Sequence, residues 1–132
     1  MKLLPIRLAP GEDLRRALEV AVAGHGCNAA FVVSGIGSLS VAHLRLAGAS
    51  KTRTLTDDLE ILTLAGTVSA SASHLHASLA TPHGEVLGGH VAPGCTVRTT
   101  AEVLLALLCD WDFERAPDAS TGHDELVVRL RR

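Results

Sequence analysis

Three of the seven histidines in this 132-residue sequence have the spacing of metal ligands on a β-hairpin. His74 and His76 lie in a predicted strand, residues 73–80, in which alternate residues point to the same face. His90 lies in the next predicted strand. Three imidazoles on one face suit zinc or another borderline divalent metal, with a fourth position left for water or a carboxylate. The expected cofactor is therefore a divalent metal ion, with zinc preferred.

The position of His90 depends on the turn that precedes its strand. The tetrapeptide Thr81-Pro82-His83-Gly84 is typical of a hairpin turn. With a three-residue loop whose Gly84 takes the left-handed conformation, Thr81 pairs with Glu85, and His76 then lies opposite His90. One loop residue more or fewer would turn His90 to the other face. The alternative interpretation is a surface pair of histidines with an unrelated third one.

Other side chains are candidates for accessory roles near these histidines. Glu102 could serve as a general base, although its place in an apparent capping box also explains it. Glu60 is a second carboxylate candidate, and Arg45 shares a predicted strand face with His43 that could line a polar cleft. The adjacent Gly88 and Gly89 weaken a strand, which indicates either a bulge or the close approach of another backbone, such as a second subunit.

The elements that must position these residues form an α+β pattern. Helical spacing of apolar residues predicts a helix over residues 12–23, and Thr99-x-x-Glu102 before an apolar run predicts a second helix from Thr99. The remaining strands are predicted at residues 2–8, 28–34, 40–46, 59–68, 85–91, 111–115 and 125–130. We expect one domain, residues 1–132, with a mostly antiparallel sheet of about seven strands and a helix packed on one face.

The composition of the chain disfavours several classes of protein, among them strong nucleic-acid binders and membrane-spanning proteins. The chain has 12 basic and 14 acidic residues, a formal net charge of -2 and an aromatic content of 2%, which disfavours strong nucleic-acid binding and base stacking. No apolar run is long enough for a membrane span, and the first ten residues lack the apolar core of a signal peptide. Three scattered cysteines suggest neither a disulfide framework nor a zinc knuckle. A cytoplasmic location is expected.

Several segments in order resemble the PPC domain, the plants-and-prokaryotes conserved domain. They are residues 31–45 (FVVSGIGSLSVAHLR), 59–66 (LEILTLAG), 74–79 (HLHASL), 84–94 (GEVLGGHVAPG) and 99–103 (TTAEV), together with Leu126. The resemblance covers essentially the whole chain. It implies an α+β fold, assembly as a homotrimer, and a bound divalent metal at His74, His76 and His90.

The resemblance also implies a link to DNA, because the plant proteins join this domain to AT-hook motifs. This sequence contains no Arg-Gly-Arg core of an AT-hook, so any DNA binding is expected to be weak. Three functions remain open: a trimeric, metal-binding protein that acts through DNA or a protein partner; a metal-dependent enzyme acting on an unknown small ligand, with Glu102 or Glu60 handling a proton; and a structural trimerisation module. The first is preferred, with no activity assigned.

Overall fold

The computed structural model describes residues 1–70 and 72–132, which form eight strands and one helix. The elements in chain order are β1 (Lys2–Leu8), α1 (Leu14–Gly24), β2 (Ala30–Arg45), β3 (Thr52–Val68), β4 (His74–Ala80), β5 (Val86–Val91), β6 (Thr96–Leu107), β7 (Trp111–Asp118) and β8 (His123–Leu130). The described part of the chain has no helix long and apolar enough to cross a membrane. The expected mostly antiparallel sheet is confirmed, with eight strands instead of about seven and, in the described residues, one short helix instead of the two predicted for the α+β pattern.

Six strands form one antiparallel sheet in the order β1-β6-β2-β3-β4-β5, and β7 and β8 form a separate hairpin. The sheet curls, because β5 pairs not only with β4 but also with the end of β2, through Leu44–Val91 and Arg45–His90. Strands β2 to β5 therefore close into a ring. The ring brings Arg45 beside His90.

The helix α1 packs on an apolar side of the sheet. Leu14, Leu18 and Val22 recur at helical spacing and are fully buried, and α1 contacts β3 and β6. The Asp13 side chain caps the helix by accepting a hydrogen bond from the Arg16 backbone N–H at 3.0 Å. Its other carboxylate oxygen accepts one from the Gly94 N–H at 2.6 Å, which ties the helix start to the loop between β5 and β6. The predicted helix is confirmed within two residues at its start and one at its end.

The second predicted helix is wrong, because residues 96–107 form strand β6. This strand lies between β1 and β2 in the sheet. The apolar run at its end, residues 103–107, is buried or half-buried on both faces. A strand buried on both faces has a continuous apolar run that periodicity alone does not separate from a buried helix. The supposed cap residue Thr99 instead makes a 2.6 Å side-chain hydrogen bond with Ser38 on β2.

Strand β2 is continuous from Ala30 to Arg45, where two separate strands, residues 28–34 and 40–46, are predicted from the sequence. A Cβ at Gly37 would lie 2.5 Å from the Thr100 carbonyl oxygen and 2.6 Å from the Ala101 Cα of β6. Gly37 therefore belongs inside a strand, at a point where the backbone of β6 comes too close for any side chain.

Two cysteines pair, contrary to the sequence-based expectation. Cys27 and Cys109 form a disulfide with a Cα–Cα distance of 4.5 Å, while Cys95 is free and buried. The two are 82 residues apart in sequence. They meet because β2 begins beside the end of β6, where Ala30 pairs with Leu107. The pairing depends on the register between β2 and β6, which the sequence does not show.

We predict that Gly66→Ala destabilises the protein by about 1–3 kcal/mol, since a side chain there would be strained as well as crowded. Gly66 has a φ of 138°, and its Cβ would collide with the His74 carbonyl oxygen on β4. The control is Gly24→Ala at the end of α1, where a Cβ would meet nothing within 4 Å. The control should be neutral or slightly stabilising. Chemical denaturation checks both, and equal stability of Gly66→Ala and the wild type would contradict the prediction.

Candidate metal site

The β4–β5 hairpin has the predicted turn and register. The Thr81 N–H donates to the Glu85 carbonyl at 2.8 Å, and Gly84 has the left-handed φ of 79°. As a result His76 pairs directly with His90 across the two strands. The expectation that a three-residue loop brings these histidines together is confirmed.

The opposite face of β4 anchors the hairpin to the protein core. Leu75 and Leu79 are fully buried and Ala77 nearly so. His74 and His76 alternate with these residues and are exposed on the other face, while His90 is half-buried. Strand alternation therefore places the core residues of β4 on one face and the candidate metal ligands His74 and His76 on the other.

The three imidazoles converge on one point. One ring nitrogen from each of His74, His76 and His90 lies within 4.8 Å of the other two. The Nε2 atoms of His74 and His76 are 3.2 Å apart. Two nitrogens bound to one tetrahedral zinc at about 2.0–2.1 Å would be separated by about 3.3 Å, so this pair already has the spacing of ligands.

The environment of His90 fits a metal ligand. Its Nδ1 atom is buried and has no hydrogen-bond partner among the described residues 1–70 and 72–132. A buried polar atom without a partner is costly, and a bound cation would satisfy it. The donor set of three imidazole nitrogens also matches the ligands preferred by zinc.

The surroundings favour neutral, metal-binding rings. Burial, followed by the nearby positive charge of His74, Arg45, Arg15 and His76, lowers the pKa of His90 to about 4. Burial and then Arg115 lower the pKa of His74, while Glu125 acts in the opposite direction. A neutral ring has the lone pair that a metal needs, so these shifts lessen competition by protons.

A cavity of about 550 Å³ adjoins the histidines. Besides His74 and His90 it is lined by Arg15, Arg45, Ala72, Ser73, Arg115, His123, Asp124 and Glu125. A second cavity of about 270 Å³, beside His74 and His76, shares Arg115 and Glu125 with the first. The candidate site thus consists of the histidine cluster and a polar pocket next to it.

Of the predicted accessory residues, only Arg45 lies at this site. It pairs with His90 through the β2–β5 contact and lines the larger cavity. Glu60 lies opposite Ser38 and Ala80, and Glu102 lies between Arg7 and Ile36 in the sheet. Neither carboxylate lines the two cavities around the histidines.

The carboxylate that does line both cavities is Glu125, which the sequence analysis did not single out. It lies on β8, and the β7–β8 hairpin docks on the main sheet through several contacts.

These contacts include those of Phe113 and Arg115 on β7. The Phe113 N–H donates to the Asn28 carbonyl at 3.2 Å, and the Phe113 and Phe31 rings stack edge to face. Arg115 donates to the Thr67 hydroxyl at 3.3 Å. No spacing in the sequence indicates where an independent hairpin will dock.

The glycine pair before His90 is explained by contacts within one chain. A Cβ at Gly88 would lie 2.8 Å from the Ala77 carbonyl oxygen, and one at Gly89 would lie 2.7 Å from the Arg45 carbonyl oxygen. The close backbone approach expected from the sequence is therefore present, between β5 and its two neighbours. Contact of these glycines with another subunit stays a prediction.

The family model of the Plants and Prokaryotes Conserved (PCC) domain matches residues 1–108 of this chain. The chain belongs to the PCC-domain family. This is the domain abbreviated PPC above, so the resemblance noted from sequence motifs is confirmed. The β7–β8 hairpin, which supplies Arg115 and Glu125 to the pocket, lies beyond the matched residues.

Similar proteins and solved structures match nearly the whole of this chain. The chain is 43% identical over 129 residues to the bifunctional protein GlmU of a Synechococcus strain, covering 98% of this chain but only a fifth of that protein. Among solved structures, a hypothetical protein from Salmonella is 38% identical with a TM-score of 0.94, covering 99% of this chain and 95% of that one.

Two further structures bear names that refer to binding. A metal-containing protein from Archaeoglobus fulgidus is 31% identical with a TM-score of 0.81, covering 96% of this chain and 94% of that one. A Bacteroides thetaiotaomicron protein whose name refers to DNA binding has a TM-score of 0.83 at 18% identity, covering 95% of this chain and 91% of that one. The latter similarity shows the fold alone.

In the metal-free protein we predict that His90 titrates near pH 4, well below the 6.5 of an ordinary imidazole. The unfolded chain would take up this proton near pH 6.5 and the folded chain only near 4, so His90 lowers the free energy of unfolding as pH falls between these values. An NMR titration of the histidine rings, with His90→Asn to assign the signal, checks this. A midpoint for His90 at or above 6.5 would contradict it.

Proposed function

We propose that the protein binds one divalent metal ion per chain, zinc, through His74, His76 and His90, and uses it as the centre of a small-ligand site. The observation that carries this proposal is the convergence of three imidazole nitrogens within 4.8 Å on one face of the hairpin. Three histidines leave the fourth position of a tetrahedral zinc ion free for water or a small molecule. Catalytic zinc sites have such an open position, whereas structural zinc sites have four protein ligands.

The relatives support the metal but assign no reaction. The Archaeoglobus fulgidus protein, which is named as metal-containing, is similar over nearly the whole of both chains. The GlmU relative is five times longer than the matched region, so its name supports no activity for this chain.

A metal-dependent enzyme is the second candidate, and one observation favours it. Glu125 lines both cavities beside the histidines. A carboxylate in that position could accept a proton from a metal-bound water, whose pKa a zinc ion lowers toward 7. Glu125 thus takes the proton-handling role predicted from the sequence for Glu102 or Glu60.

DNA binding receives less support than the metal. It depends on the family resemblance and on fold similarity to a protein named for DNA binding. The formal net charge of -2 works against the phosphate contacts that supply most of the non-specific affinity for DNA. We propose only weak, salt-sensitive association with DNA.

The metal assignment predicts that His76→Ala loses zinc. Loss of a residue that merely supports a metal ligand costs about 10–100-fold in affinity, and loss of a ligand itself should cost at least as much. The fold should survive, because the core packs on the Leu75 face of β4. Elemental analysis of purified protein should find about one zinc per chain in the wild type.

The matched control is His83→Ala, which removes an exposed histidine from the turn of the same hairpin. It should keep its zinc. Equal zinc content in His76→Ala and His83→Ala, with circular dichroism showing both folded, would refute the site.

We also propose that the protein is a homotrimer, as the family resemblance implies. The central strands β2 and β3 expose apolar side chains that a neighbouring subunit would cover: Phe31, Val33, Ile36 and Leu62. We expect light scattering to give a mass about three times 13.8 kDa.

A charge at Val33 should dissociate this trimer, whereas Val20→Glu on the exposed side of α1 should not. Both valines are about equally exposed in one chain, at 54% and 55%. A wild-type protein that stays monomeric at high concentration, or a Val33→Glu trimer as stable as the wild type, would contradict the assembly.

A further inference from the structure

Three arginines from separate elements converge beside the histidine cluster. Arg15 comes from α1, Arg45 from the end of β2 and Arg115 from β7, and all three line the cavity of about 550 Å³ together with His74 and His90. Because residues so far apart in sequence meet at one cavity, the fold itself assembles this positive charge.

These arginines are not neutralised by ion pairs. Within residues 1–70 and 72–132, the salt bridges are formed by Arg98, Arg129 and Arg131, none of which lines the cavity. Arg15 donates one hydrogen bond, to the Val91 carbonyl at 3.3 Å, and Arg115 donates one, to Thr67. A guanidinium has five N–H donors, so most remain available to a ligand.

The charge of the pocket is net positive. Asp124 and Glu125 line the same cavity, yet neither forms a salt bridge with the three arginines in the described part of the chain. The arginines outnumber the two carboxylates, and a divalent ion on the histidines would add two further positive charges. Clustered positive charge in a cleft attracts an anionic ligand more strongly than an uncharged one.

The geometry suits an oxyanion. Guanidinium groups bind carboxylate and phosphate oxygens through pairs of parallel hydrogen bonds. The cavity volume lies within the range of small-molecule sites, about 300–1,000 Å³, and its lining includes two of the three histidines. A ligand seated on the arginines would therefore lie next to an ion held by these rings.

We propose that this cavity binds a small organic anion, a carboxylate or phosphate ester, held by Arg15, Arg45 and Arg115 with one oxygen directed to the metal. This inference rests on the proposed metal site. Asp124 and Glu125, on the β8 side of the cavity, would contact the hydrogen-bond donors of the same ligand, such as its hydroxyl or amino groups.

The test uses the zinc-loaded protein, freed of excess metal, in calorimetric titrations with inorganic phosphate and with succinate. Arg45→Gln is the informative variant, because Arg45 is exposed and no hydrogen bond or ion pair in the described structure depends on its side chain. We expect it to weaken anion binding about tenfold or more while its zinc content stays unchanged. Arg45→Lys should restore only part of the affinity, since an ammonium lacks the planar fork.

The matched control is Arg53→Gln. It removes the same charge from an exposed arginine on β3 that does not line the cavity. It should bind the anions as the wild type does. Cobalt-loaded protein gives an independent readout, since an anion that reaches the metal should change its visible spectrum.

The outcomes separate the two claims. Wild-type protein that holds no zinc would contradict the metal site itself. Zinc-loaded protein that binds neither anion, or binds them equally well after Arg45→Gln, would overturn the anion pocket while the metal site stands. Displacement of phosphate by equimolar duplex DNA would also overturn the small-molecule assignment.

Discussion

The whole candidate site depends on the register of the β4–β5 hairpin. A three-residue loop, closed by Gly84 in the left-handed conformation, places His76 directly opposite His90. Because side chains alternate along a strand, a shift of one residue would direct His90 away from the other two histidines. The buried Leu75 and Leu79 fix which face of β4 meets the core, since a one-residue slip of β4 would expose them and bury His74 and His76.

The rest of the fold builds a pocket around that hairpin. Strand β5 pairs with the end of β2 as well as with β4, which brings Arg45 to the histidines, and the separate β7–β8 hairpin adds Arg115 and Glu125. Gly89 lets β5 come close to the Arg45 backbone, and Gly66 lets β3 come close to His74 on β4. Local strand alternation thus positions the histidines. The positions of Arg45, Arg115 and Glu125 depend instead on contacts between distant segments of the complete fold.

Local chemistry explains which features could be predicted from sequence. The turn at Thr81–Gly84, the alternation of Leu75 with His74 and His76, and the apolar stripe of α1 are each determined by neighbouring residues. The error at Thr99 arose because residues 103–107 of β6 are buried or half-buried on both faces, so that this apolar run has no period of two. The Cys27–Cys109 disulfide, the docking of Glu125 and the convergence of three arginines depend on contacts between distant segments, for which one sequence has no local signal.

Anomalous diffraction from crystals of the zinc-loaded protein, measured on both sides of the zinc absorption edge, tests the histidine metal site directly. We predict one anomalous peak per chain, about 2.0–2.1 Å from a ring nitrogen of each of His74, His76 and His90, with the fourth position toward the arginine-lined cavity. A chain with no peak at the hairpin, or a peak bound by other residues while His90 points elsewhere, would contradict it.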